Sequence, residues 1–188
     1  MVTMDVVEAI VGDHVRFEQL LRALRVRDVD LDAVRERRAA LRAELAHLLI
    51  GHAIAEESEV YPKLRELAGG GAHVEHGADE HVEGHRRLLA LLDVGDVLSP
   101  AFDRAVGKLA NSLAHHVDEE ERTLLNDARL HLGGAAREAL GAAWLAERDR
   151  LIATGCGSRA AVAALVPDAP SGVPAQRRSA DAPLRGPA

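Results

Sequence analysis

Four stretches of this chain carry apolar residues at helical spacing, and each interrupts its stripe with histidine or glutamate. Spacing of three and four residues puts side chains on one helix face. In the first stretch Val7, Ile10, His14, Phe17 and Leu21 share a face, so His14 points inward. In the second, Leu41, Leu45, Leu48, His52, Glu56, Val60 and Leu64 do the same for His52 and Glu56. In the third, Ala78, His81, His85, Leu88 and Leu92 enclose two histidines. In the fourth, Val106, Leu109, Leu113, His116, Glu120 and Leu124 enclose His116 and Glu120. Burying such groups unpartnered costs several kcal/mol, roughly, for each ion. Seven of them on four facing helices require a common partner.

The expected helices run over about residues 4–25, 30–67, 78–93, 100–127 and 135–153, with no sustained strand alternation. Pro62 predicts a kink or early end in the second. Gly69-Gly70-Gly71 and the stretch from Gly95 to Pro100 read as breaks, with Ser99 capping the fourth helix and Pro100 at its first position. The expected fold is all-α: an up-down-up-down four-helix bundle over residues 1–130, with an additional helix over 131–155 packed outside. Residues 156–188 are expected to be a disordered tail, since residues 167–188 hold all but two of the seven prolines. Trp144, with Leu140, Leu145 and Leu151, is expected to fasten the fifth helix. The charge run from Arg35 to Arg38 reads as a solvated face.

Composition narrows function. With 188 residues, 47% hydrophobic and 2% aromatic, the chain can bury an aliphatic core. A net charge of −7 argues against a nucleic-acid surface or an anionic membrane as partner. Without an apolar run long enough to span a bilayer or a secretory signal, a cytoplasmic location is the expectation. The single cysteine, Cys156, permits neither an internal disulfide nor a thiolate metal cluster.

A metal centre reconciles the buried polar groups with their surroundings. Five imidazoles and two carboxylates suit iron, ahead of manganese or zinc. The i, i+4 pairs His52/Glu56, His81/His85 and His116/Glu120 place ligands one turn apart, which suits two metals side by side. Two octahedral irons offer about twelve positions, and five histidines, two bridging carboxylates and a bridging oxo or hydroxo leave about one free. A small molecule can bind there. A ferritin-like site needs two Glu-x-x-His motifs, and only Glu44/His47 is present, off the stripe. His81-Val82-Glu83-Gly84-His85 has its glutamate in the wrong place for a zincin.

Four stretches carry a resemblance to a known family. They are Gly12-Asp13-His14-Val15-Arg16-Phe17; His52 and Glu56 through Tyr61-Pro62; Glu80-His81 through His85; and His116-Val117-Asp118-Glu119-Glu120. Together they resemble the hemerythrin family, in its bacterial branch, the HHE cation-binding domain, over about residues 4–127. The resemblance implies a four-helix bundle around a non-haem diiron site. Its ligands would be His14, His52, Glu56, His81, His85, His116 and Glu120, both carboxylates bridging. His116-x-x-x-Glu120 is shorter than the motif ending in Asp of the marine oxygen carriers, which argues against reversible oxygen carriage. The alternative register, His115/Glu119, lies in line with Lys108, Ser112 and Arg122 on a polar face. Tyr61 would lie about 180° from His52 on an unbroken helix, and the kink at Pro62 makes it a candidate for supporting the metal ligands. His47, His73, His76 and His131 are assigned to surface or loops.

Three functions fit. The centre binds or senses dioxygen, nitric oxide or a related small oxidant; it decomposes hydrogen peroxide as a catalase-like enzyme; or it buffers iron and regulates through metal occupancy. A general acid near the free position would favour peroxide chemistry, and Tyr61 is the one candidate.

Overall fold

Short polar side chains start three of the long helices. Asp5 accepts a hydrogen bond from the Val7 amide, Asp30 from Asp32 and Ala33, and Ser99 from Phe102. A computed structural model describes residues 4–67 and 70–167. The helices are α1 (Val6–Leu24), α2 (Leu31–Ala55), α3 (Tyr61–Arg65), α4 (Gly70–Leu92), α5 (Pro100–Arg122), α6 (Leu124–His131), α7 (Gly134–Ala153) and α8 (Arg159–Leu165). A π-helical turn, Glu56–Val60, joins α2 to α3.

The core falls into two clusters. One takes Phe17, Leu20 and Leu24 from α1, Leu45 and Leu49 from α2, Leu88 and Leu91 from α4, and Phe102, Leu109 and Leu113 from α5. The other takes Val6 and Ile10, Val60 and Leu64, Val74, and Leu124 and Leu125. The C-terminal part of α1, the part of α2 that precedes His52, the C-terminal part of α4 and the N-terminal part of α5 thus meet at one end. That alternation is up-down-up-down. Between the clusters, on all four bundle helices, lie the buried histidines and glutamates of the apolar stripes.

Several expectations need correction. The second helix continues through Pro62, and its irregularity lies before the proline. The Tyr61 amide reaches the Glu56 carbonyl in an i+5 bond, and Pro62 follows where a helix tolerates a missing N–H. The third helix begins at Gly70, inside the glycine run expected to be a break. The fourth breaks at Thr123, whose hydroxyl bonds the Glu119 carbonyl at 2.7 Å, and resumes as α6. Leu41 and Leu48 are half-buried, while Ala46, Leu49 and Ile50 are buried, because α7 covers a second face of α2.

Arg38 does not face solvent. It is 2% exposed, donates to the Val97 carbonyl at 2.8 Å, pairs with Asp103 at 3.0 Å and lies over the Phe102 ring. The charged head satisfies a loop carbonyl and a carboxylate while its stem packs in the core.

Trp144 is fully buried, with Leu140, Leu145 and Leu151 packed around its cluster, as expected. Gly141 permits this docking, because a Cβ there would sit 2.2 Å from the Met4 carbonyl oxygen. The expected tail does not begin at Cys156. Ser158 caps α8 through the Ala161 amide, Val162 is buried in the core, and Arg159 pairs with Asp93 at 2.6 Å. Residues 168–188 of the expected tail lie outside the described residues.

Candidate metal centre

All seven side chains of the stripes are buried, none more than 6% exposed, and they form one layer across the bundle. His52 Nε2 and His81 Nε2 face different oxygens of Glu56, at 3.2 and 3.3 Å. His14 Nε2 and His116 Nε2 face one oxygen of Glu120, at 3.2 and 3.6 Å. Ligand atoms of His14, His52, Glu56 and Glu120 lie within 4.8 Å of one another, as do those of Glu56, His81 and His116. Glu56 belongs to both groups. His85 is buried beside them, its ring 6.3 Å from that of His81, but falls outside both.

Register in α5 follows from exposure. His116 and Glu120 are buried; His115 is exposed and Glu119 half-buried, pairing with Arg122. The other histidines divide. His73, His76 and His131 lie on helices at the surface, the first paired with Asp127 at 2.8 Å. His47 is half-buried, and its Nδ1 accepts the Gly157 amide at 2.8 Å, holding the turn that leads into α8.

The stripes did not reveal how the rings are held. His14 Nδ1 meets Glu121 at 2.9 Å, His81 Nδ1 meets Glu57 at 2.8 Å, His116 Nδ1 meets Glu80 at 3.1 Å and His52 Nδ1 meets Asp13 at 3.4 Å. A carboxylate only accepts, so each pair holds a proton on Nδ1 and turns Nε2 towards the centre. The contacts close a circuit: Asp13 of α1 holds His52 of α2, Glu57 beside α2 holds His81 of α4, Glu80 of α4 holds His116 of α5, and Glu121 of α5 holds His14 of α1. Each of these acids is the chain neighbour of a stripe residue, yet it serves a histidine on another helix. The adjacency was visible in the sequence; the partner was not.

Tyr61 enters the site through the π turn. It is 3% exposed, its hydroxyl lies 3.4 Å from His81 Nε2, and its ring stacks on His81 at 8°. Gly77 makes room, because a Cβ there would come within 2.7 Å of that hydroxyl. Burial, reinforced by Glu56 and Glu120, pushes the phenol far above its ordinary range, so it stays a neutral donor.

Electrostatics set the carboxylates apart. Burial and then the charge of Glu120 push Glu56 well above the usual carboxylate range. Burial opposes ionisation of Glu120 too, but the hydrogen bond and charge of His14 hold it well below that range. Burial lowers His14, yet Glu120 and Glu121 outweigh it and raise the ring to about 9. Burial, with the charge of His14, brings His52 to about 4 against the pull of Asp13, and burial with His81 brings His85 to about 4. Among protein groups alone, protons on Glu56 and His14 balance the layer, in the positions where cations would supply the charge.

The residues fit metal ions. Apart from Arg38 Nε and Trp144 Nε1, every buried side-chain N or O atom lacking a hydrogen-bond partner among the described residues belongs to this layer. These are Nε2 of His14, His52, His85 and His116, both oxygens of Glu56 and one of Glu120. Buried polar atoms seldom stay unpaired, and these converge. Two spaces adjoin them. A cavity of about 10 Å³ lies among Leu49, Ala53, Leu113, His81, His85 and His116, and a groove of about 520 Å³ between α1 and α5 ends on His14 and Phe17. Among the described residues no helix is long and apolar enough to cross a membrane.

Comparison with known proteins agrees. The hemerythrin HHE cation binding domain matches residues 5–128. The fold matches the crystal structure of a hemerythrin HHE cation binding domain-containing protein from Mycobacterium kansasii. The TM-score is 0.72 at 23% identity, over 87% of this chain and 99% of that one. No curated protein matches the chain. The matched residues span the four bundle helices and every member of the histidine and glutamate layer, and the chain belongs to the hemerythrin HHE cation binding domain family.

Proposed function

We propose that this chain is a non-haem diiron protein that binds a small oxidant, such as dioxygen, nitric oxide or hydrogen peroxide. The observation that carries the reading is the convergence, among the described residues, of buried Nε2 and carboxylate oxygen atoms that face one another at 3.2–3.6 Å without well-formed hydrogen bonds. His14, His52, His81, His85 and His116 would hold the irons with Glu56 and Glu120. An oxo or hydroxo bridge belongs to the same reading. Iron would supply a change of oxidation state and a Lewis-acidic position for the ligand. The chain supplies the rest. Asp13, Glu57, Glu80 and Glu121 orient rings, the aliphatic clusters on either side exclude water, and a small cavity of about 10 Å³ adjoins His85.

Peroxide decomposition is the reading that Tyr61 favours over simple binding. Its buried, neutral hydroxyl stands within the layer, where it can donate a hydrogen bond to an oxygen of the substrate. Iron buffering and regulation have no such observation behind them. Oxygen evolution after adding hydrogen peroxide to iron-loaded protein separates the readings. The expected result is sustained evolution, absent in His116→Ala. A stable oxygen-dependent absorption band without turnover would leave binding alone, and neither signal would overturn both.

A further inference from the structure

α7 lies beyond the stretch matched by the family, residues 5–128, yet it reaches the centre. Asp13 is 6% exposed, and its two oxygens are divided. One lies 3.4 Å from His52 Nδ1, and the other accepts from Arg148 Nη1 of α7 at 2.7 Å. The Arg148 guanidinium lies over the Trp144 ring, and Trp144 meets the His52 ring edge-on at 5.4 Å and 87°. Close approach brings α7 here. A Cβ on Gly51, the residue before His52, would sit 3.2 Å from the Arg148 carbonyl oxygen. The other ring-holding acids differ. Glu57, Glu80 and Glu121 pair with histidines, and among the described residues no arginine or lysine is paired with them.

We propose that Arg148, acting through Asp13, is a positioning residue for His52, and that α7 is thereby a working part of the metal centre. This rests on the diiron reading above. Arg148 neutralises one Asp13 oxygen and fixes the rotation of the carboxylate. The other oxygen then faces His52 Nδ1–H, which commits Nε2 to the cation and strengthens it as a ligand. Trp144 closes the remaining side of the ring against water.

The test is iron affinity by competition with a chelator, measured anaerobically on the full chain, with the absorption spectrum of the loaded protein. Asp13→Asn and Arg148→Met are expected to weaken binding about 10- to 100-fold each and to shift the spectrum. The double variant is expected to be no weaker than Asp13→Asn, because both act through one contact. Arg148→Lys is expected to recover most of the affinity. Arg150→Met, on an exposed part of α7 and paired with Glu147, is expected to match the wild type. Circular dichroism of the protein before loading checks that α7 is intact. If Arg148→Met unfolds it, Arg148→Gln, which keeps a donor but loses the charge, takes its place. Wild-type affinity and spectrum in the Arg148 variants, or additive losses in the double variant, would overturn the inference while leaving the diiron reading intact. Wild-type protein that takes up no iron would overturn that reading and the inference with it.

Discussion

Tyr61 and His85 are the two members of the site whose chemistry is least shared with their neighbours. Tyr61 touches the layer only through its hydroxyl and stacked ring. Tyr61→Phe is therefore expected to keep full iron content while peroxide breakdown falls by roughly 100-fold, the scale of one lost hydrogen-bond donor to developing charge. Metal analysis and oxygen-electrode traces of the same preparation check both parts. His85 Nε2 is unpaired and lines the small cavity. His85→Ala is expected to lower bound iron from two towards one per chain, read by elemental analysis. The seven stripe residues were legible in the sequence because a helix repeats every 3.6 residues, so burial of one position implies the next. Asp13, Glu57, Glu80 and Glu121 were not, because periodicity says nothing about which carboxylate on another helix a ring nitrogen meets. Tyr61 needed the π turn to bring it round.

At the scale of elements, the long helices were visible from their caps and stripes, and the departures have local causes. An i+5 bond before Pro62 and a break at Thr123 leave no periodic signature. α8 is only Arg159–Leu165, and its alanine-rich sequence gives one buried anchor, Val162. α7 reads as an accessory helix from the sequence, yet its glycine at 141 lets it meet the start of α1, and Arg137 adds a 2.6 Å contact to Asp5. Gly141→Ala is expected to destabilise the protein by about 1–3 kcal/mol, because a methyl group there must displace backbone. The thermal midpoint should fall by several degrees, and a midpoint equal to wild type would show that the α1–α7 contact is looser than described.

For the whole molecule, the polar layer lies between two largely aliphatic clusters. Cations in that layer bind the folded chain and not the unfolded one, so their removal is expected to loosen it. At a free iron concentration 1,000 times the dissociation constant, the stabilisation is about 4 kcal/mol. A chelator should then lower the thermal midpoint by on the order of 10 °C. Imidazoles bind cations only when neutral, so protons and iron compete for the same nitrogens. Iron affinity is expected to fall as pH drops below about 9, where His14 takes up its proton, and to fall more steeply towards about 4, where His52 and His85 follow. Retention after equilibrium dialysis across pH 5–8 checks the sign. The central claim, a pair of irons held between four helices, is tested most directly by the metal content of protein purified without oxygen. Two irons per chain is the expected result; one zinc, or no metal at all, would contradict it.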